Sequence, residues 1–261
     1  SPRLGRLMGQ YMRWPYSRCA RVLVPSTATR QLMVASKSDP ERLVVWARGV
    51  DTDLFSPSRR SWRLREAWRV DDRRPAILYV GRVSREKGLA MLEPLQRALH
   101  GRRLEHRFII VGQGPMLPEL REKLPEAVFT GPLSRDAVAE AFASADLFVF
   151  PSRTDTAGNV VLEAQASGVP VIVSAAGGPS ENLVAGVTGL VCATDDVHEW
   201  AEAVVSLLHD NARRRQLGLA ARAYAEGRTW PRALEPLYRA YHDVSAPHSA
   251  REHVPLLPVM P

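Results

Sequence analysis

The chain has 261 residues, 45% of them hydrophobic and 24% charged, and a formal net charge of +7. That composition excludes a disordered or low-complexity chain, because it offers enough apolar surface to build a core. No apolar run approaches the roughly 18 residues that span a bilayer, and residues 1–20 lack the apolar centre of a signal peptide.

The two cysteines, Cys19 and Cys192, show neither metal-ligand spacing nor a disulfide framework. Such usage fits a reducing compartment, so a cytoplasmic location is expected. Arginines cluster at 59–60, 73–74, 102–103 and 213–215. They read as solvated faces, with attraction to nucleotide substrates or to an anionic membrane leaflet as the sharper alternatives. Nucleic-acid binding is not expected, since no stretch interleaves basic residues with aromatics.

In chain order, residues 3–20 have a helical pattern that Pro15 interrupts. A short strand follows at 22–24. Pro25-Ser26-Thr27 then starts a helix to about Ser36, and a second short strand covers 43–46. These first 47 residues hold too few elements to close a core and read as the end of a domain whose beginning is absent. Turn residues from Gly49 to Pro57 place a linker at 48–60.

From Ala76 strands and helices alternate. Strands are expected at 77–80, 108–111, 127–130, 147–150, 171–174 and 190–192, and helices at 88–99, 116–124, 134–143, 159–167, 180–185 and 197–209. The strands are near-continuous apolar runs, as in parallel sheets covered on both faces. Strict alternation predicts an α/β fold, a doubly wound parallel sheet with right-handed crossovers. That Rossmann-like domain is placed at 61–228. Two more helices, 211–226 and 230–243, follow, with the C-terminal one assigned to 229–244. The proline-bearing tail 245–261 is expected to be disordered or an extended arm.

Ligands of open parallel sheets bind at the carboxyl ends of the strands, where strand order reverses. Several loops at those ends carry chemistry. Gly81 to Gly88 brings Arg82 and Lys87 into one short loop, a planar fork and a point charge suited to a diphosphate. The other reading is a solvated loop with pairing through Glu86; the spacing is not that of a Walker loop. Gly112-Gln113-Gly114-Pro115 reads as a tight turn into a helix that Pro115 begins. Thr130 and Gly131 end the third strand and are placed to present backbone groups to a base.

The stretch 147–170 runs from a strand through Thr154, Asp155, Thr156 and Gly158 into a helix bearing Glu163. A helix start there turns unpaired N–H groups and a positive dipole end toward a ligand. Ordinary capping of the helix by Asp155 and Thr156 is the alternative. Gly177-Gly178-Pro179-Ser180-Glu181 again turns into a helix, with Glu181 as dipole partner or ligand.

Taken together, these loops resemble the donor-binding half of the retaining, family 4 type (group 1) glycosyltransferases of GT-B fold. The matching pieces are Arg-Gly-Val-Asp-Thr-Asp-Leu-Phe-Ser-Pro at 48–57, Tyr-Val-Gly-Arg-Val-Ser-Arg-Glu-Lys-Gly-Leu at 79–89 and Val-Gly-Gln-Gly-Pro at 111–115. Phe-Thr-Gly-Pro-Leu at 129–133, the segment 155–168 and Gly-Gly-Pro-Ser-Glu at 177–181 continue the series. The resemblance implies an enzyme that transfers a hexose from a nucleotide-diphosphate sugar to a glycan or lipid-linked acceptor, retaining configuration, with no metal or other cofactor. GDP-mannose is favoured over a UDP-hexose by the wording of 154–163. A peripheral contact with an anionic membrane is a further implied partner.

By the same resemblance Arg82 and Lys87 hold the donor diphosphate and, with Asp155, are the catalytic candidates. Asp155 stands where the family's E-x7-E pattern has its first glutamate, one methylene longer. Glu163 accepts hydrogen bonds from the nucleotide ribose. Gly81, Thr130, Gly131 and the backbone of Thr156, Ala157, Gly158, Asn159 and Val160 complete the donor site. Arg48 replaces the asparagine of the family's Asn-Gly-Val-Asp turn. The family's acceptor side, its early glycine-rich loop and a functional histidine belong to sequence outside this chain, and the N-terminal domain is read as incomplete. The alternative to an enzyme is a non-catalytic nucleotide-sugar binding module, or an inactive fragment of such an enzyme.

Overall fold

In a computed structural model, residues 14–193 and 195–245 are described, and they fall into two compact units, 14–47 with 231–245, and 48–230. In the first unit, β1 (Val22–Val24) and β2 (Leu43–Val45) pair in parallel, joined through α1 (Thr27–Ala35). Ser26 starts α1, its hydroxyl oxygen accepting the Thr29 N–H at 3.1 Å. The helix expected over 3–20 is helical at 14–16 and then turns. There the Ser17 hydroxyl takes the Trp14 carbonyl at 2.9 Å, a local bond that competes with helix continuation. Its earlier part lies outside the described residues, as does the expected tail beyond Ser245, which ends α9 (Trp230–Ser245).

The second unit is built on a six-stranded parallel sheet. Its strands are β3 (Ala76–Val80), β4 (Arg107–Val111), β5 (Val128–Gly131), β6 (Leu147–Phe150), β7 (Val171–Ser174) and β8 (Gly189–Cys192). They lie in the order β5-β4-β3-β6-β7-β8. The chain moves outward from β3, returns to β6 beside it, and moves outward again, with Ile77 opposite Leu147 and Leu78 opposite Phe148. Strand order therefore reverses between β3 and β6. Every residue of β3, β6 and β7 is buried, which explains their unbroken apolar runs. Helices α3 (Leu92–Gly101), α4 (Leu117–Lys123), α5 (Arg135–Ser144), α6 (Asn159–Ala166), α7 (Val197–His209) and α8 (Asn211–Glu226) fall on expected segments.

Two local expectations are corrected. The helix expected at 180–185 is a short 3-10 turn, Gly178–Asn182, after which Leu183 is extended. The Asn182 carbonyl, which a longer helix would pair along the backbone, instead accepts Gln165 Nε2 at 2.5 Å. A helix that the sequence reading lacked, α2 (Trp62–Trp68), is capped by Ser61 and closed by Arg69 in the left-handed region at φ 54°. Leu64 and Trp68 are the only apolar residues of the seven that pack inward, so no apolar helical period shows in the sequence.

The segment 48–60 is packed on the sheet unit rather than loose. Phe55 is buried edge-on to Phe142 with centroids 6.0 Å apart, and Arg222 donates to the carbonyls of Thr52 and Phe55 at 3.0 and 2.8 Å. Parts of the arginine clusters are also structural. Arg60 donates to the carbonyls of Ala143 and Ala145 and to Asp146, while Arg214 reaches the carbonyls of Leu207 and Leu208. Those oxygens end α5 and α7, where the helix leaves carbonyls without partners.

Candidate functional site

A cavity of about 440 Å³ opens at the carboxyl ends of β3 and β6, the point where strand order reverses. The loop after β3 contributes Gly81, Arg82, Glu86 and Lys87; the loop after β6 contributes Asp155, Ala157, Gly158, Asn159 and Val160. Arg48 closes one side. Eight of the expected donor-site residues thus line one cavity at the ends of two adjacent strands, and the chemistry follows from how their loops are held.

The first loop is pinned from below. Tyr79 is fully buried in β3, stacks on Phe150 at 6.0 Å, and donates its phenol hydrogen to the Arg82 carbonyl at 2.8 Å. Burial pushes its phenol well above the usual range, so it stays a donor. The Ser84 hydroxyl donates to the Glu86 carboxylate at 2.7 Å and holds that group below its ordinary range, with Arg82 and Lys87 adding smaller pulls. Gly112 passes so close to Gly81 that a Cβ on it would overlap the Gly81 carbonyl. That contact is a physical reason for glycine in the second loop.

The two loops are tied together. The Thr154 hydroxyl donates to the Glu86 carbonyl at 3.2 Å, and Lys87 Nζ donates to Asp155 Oδ2 at 2.5 Å. Asp155 therefore does not cap α6. The cap position is Gly158, in the left-handed region at φ 64°, and no side chain accepts from the first turn. The N–H groups of Ala157, Gly158 and Asn159 have no acceptor among the described residues, and they belong to the cavity wall. Arg82 is exposed, and its guanidinium pairs with no carboxylate among the described residues. The cavity thus gathers an unpaired guanidinium, a lysine, and a helix start, three features that favour an anion.

Other expected residues lie around this cavity rather than on it. Glu163 is half-buried one turn into α6; burial raises its carboxyl to about 7, while Arg135 at the start of α5 pulls the other way. Thr156 is exposed, its carbonyl turned to Gly178. A second cavity of about 870 Å³ shares Val80, Gly81 and Arg82 with the first and extends to Gly112, Pro115, Pro132 and Leu133. Thr130 and Gly131 end β5 next to it without lining either cavity. The Thr130 hydroxyl donates to the Gly131 carbonyl at 2.9 Å, and that carbonyl also accepts the Gly112 N–H at 2.9 Å. The sequence reading missed Tyr79, Ser84 and Asn182. Only the polar atom each adds to an apolar or glycine-rich stretch marks them.

Among the described residues no group of three or more His, Cys, Asp or Glu side chains is placed to hold a metal ion, and no helix is long and apolar enough to cross a membrane. Residues 74–210 match the family model of glycosyl transferases group 1, and residues 1–54 that of glycosyltransferase family 4. The chain is 39% identical over 236 residues to a GDP-mannose-dependent alpha-mannosyltransferase of Mycolicibacterium smegmatis, covering 90% of this chain and 60% of that protein. It is 34% identical over 238 residues to the protein of the same description from Corynebacterium glutamicum, covering 91% and 56%. Among solved structures, Anabaena HepE in complex with UDP-glucose aligns with a TM-score of 0.79 at 22% identity, over 94% of this chain and 69% of that one. A glycosyltransferase from Rickettsia africae aligns at 0.77 and 19%, over 90% and 66%. The fold is that of GT-B glycosyltransferases. The chain spans 56–60% of the length of these two mannosyltransferases.

Proposed function

Because this chain belongs to the group 1 glycosyl transferase family, we propose that its 48–230 unit binds a nucleotide-diphosphate sugar and supports hexose transfer to an acceptor hydroxyl. GDP-mannose is the donor we favour, on the strength of the two mannosyltransferase relatives; a UDP-hexose is the alternative. The observation that carries the reading is the convergence of Arg82, Lys87 and the open N-terminus of α6 on one cavity at the sheet's switch point.

In this reading the donor diphosphate lies between Arg82 and Lys87 and the N–H groups of Gly158 and Asn159. When the bond from the sugar to the diphosphate breaks, negative charge grows on the leaving oxygen. Fixed cations and peptide dipoles stabilise that charge more than they stabilise the intact donor, which is what lowers the barrier. Lys87 and Arg82 supply this charge in our proposal, and no metal is assigned a part. Asp155, whose carboxylate already meets Lys87 at 2.5 Å, shares that lysine with the donor diphosphate. Glu163 receives the ribose hydroxyls, and Thr130 with Gly131 borders the base. Configuration is retained, and the acceptor is a glycan or lipid-linked sugar, reached at an anionic membrane face that the net charge of +7 would favour.

The test is calorimetric titration of the chain with GDP-mannose and with UDP-glucose, beside the Arg82→Ala variant. Saturable binding of one donor, lost in the variant with the fold intact, is the expected result. Binding of neither donor ends this reading. Release of GDP from GDP-mannose then separates an enzyme from a binding module.

A further inference from the structure

Every hydrogen bond that the segment Gly178–Asn182 donates to the turn before α6 ends on a carbonyl oxygen, and Pro179 packs against Gly158 beside them. The Gly178 N–H donates to the Asp155 carbonyl at 2.9 Å. Asn182 Nδ2 donates to the Ala157 carbonyl and, at 3.3 Å, to the Gly158 carbonyl. Only the nitrogen of a side-chain amide donates, so two facing carbonyls fix which way this amide is turned. No peptide bond among the described residues is cis, and in a trans peptide the N–H points opposite to the carbonyl of the same plane. The planes held by Asn182 therefore turn the N–H groups of Gly158 and Asn159 away from it, and both residues line the cavity beside Arg82 and Lys87.

A hydrogen bond to the carbonyl also polarises the N–H of its plane, since bonded chains reinforce one another where water is excluded. Asn182 is 6% exposed, and its own carbonyl accepts Gln165 Nε2 at 2.5 Å, from a fully buried residue of α6. The amide is thus rigid, and it braces a turn whose Gly158 sits at φ 64°.

We infer that Asn182 is a positioning residue for the donor's phosphates, acting through the Gly158 and Asn159 peptide groups. The inference rests on the nucleotide-sugar reading above and adds a residue outside the loops that carry its cations. Asn182→Ala removes the donor but leaves the backbone carbonyl that Gln165 holds; Asn182→Ser restores a hydroxyl on a shorter arm.

Amide resonances of the ligand-free protein give the first readout. That of Gly158 shifts most in Asn182→Ala and that of Asn159 less, since the Val161 N–H also holds the Gly158 carbonyl at 2.9 Å, while that of Thr156 stays because the Gly178 N–H holds its plane. The second readout is affinity. Asn182→Ala weakens whichever of GDP-mannose and UDP-glucose the wild type binds by about tenfold, leaves the matching nucleoside within about twofold, and Asn182→Ser recovers part of the loss. Equal losses for nucleoside and nucleotide sugar, joint movement of all three resonances, or no change in either readout overturns the inference. If Asn182→Ala does not fold, Asn182→Ser carries the same comparison with the same outcomes. Wild-type protein that binds neither nucleotide sugar defeats the functional reading itself, whereas the resonances test the Asn182 link without a ligand.

Discussion

Lys87 and Asp155, 68 positions apart in the chain, meet at 2.5 Å across the mouth of the cavity, each side chain 22% exposed. The lysine that the diphosphate would use is therefore already held by a carboxylate. A donor phosphate has to share Lys87 with Asp155.

Two substitutions separate the partners. Lys87→Ala is expected to weaken GDP-mannose binding by about tenfold to a hundredfold, through loss of a charge-assisted bond to phosphate. Asp155→Asn removes the competing charge and is expected to tighten the bare nucleoside diphosphate by about threefold, less at high salt. Titration calorimetry at two salt concentrations reads both. Weaker diphosphate binding in Asp155→Asn would show that the carboxylate positions Lys87 more than it competes for it.

Glu163 makes the site pH-dependent. Its carboxyl is raised from an ordinary 4.5 to about 7, so the folded chain keeps a proton that the unfolded chain has lost. Folding therefore takes up a proton between those values, and this contribution to stability falls as pH rises across that window. Affinity for GDP-mannose runs the other way. Ribose hydroxyls donate to an ionised carboxylate, so binding should strengthen as pH rises through about 7. Both phosphates of this ligand are esterified and do not titrate there. Glu163→Gln should flatten both profiles, in thermal melts and in titrations; a profile that survives the substitution belongs to another group.

Gly158→Ala tests the helix start. The new Cβ would sit 2.9 Å from Pro179 Cα, at φ 64°. A loss of about 1–3 kcal/mol in urea unfolding is expected from the combined strain and overlap. Donor binding should fall with it, because the N–H groups of the turn would be displaced.

Asp146 is the test of the far end of the sheet. It is 8% exposed on its side chain, pairs with Arg65 at 2.8 Å and Arg60 at 3.0 Å, and accepts the Ala76 N–H at 2.8 Å. Asp146→Ala leaves the largely buried Arg65 and a β3 N–H without that partner. It should cost about 2–4 kcal/mol of stability. Donor affinity, measured where both proteins are folded, should be unchanged. A loss of binding would couple the two ends of the sheet.

Much of the site could be read from the loops in order, because strand periodicity and glycine turns are local properties. Gly81, Arg82, Lys87, Asp155 and the turn residues 157–160 share one cavity, with Thr156 just outside it. What local pattern did not carry was direction. Asp155 read equally well as a helix cap, yet its carboxylate turns to Lys87 on another loop. Thr130 and Glu163 do not line that cavity: the Thr130 hydroxyl donates to a strand-end carbonyl, and Glu163 lies one turn further along α6.

The short elements divide the same way. α2 was missed because a seven-residue helix with two inward apolar positions has no apolar period to detect. The glycines and proline before 180–185 fit a helix start, while the bond that diverts the Asn182 carbonyl comes from Gln165, 17 positions earlier.

The sequence by itself determined the alternation of apolar strands with helices, and through it a parallel sheet whose carboxyl ends carry the polar loops. It did so because burial on both faces demands unbroken apolar runs. Only the tertiary structure decided that β3 and β6 are neighbours, and so that Lys87 meets Asp155 and Asn182 braces the start of α6. Those pairings are fixed by packing and by hydrogen bonds between residues distant in the chain, which no local pattern encodes.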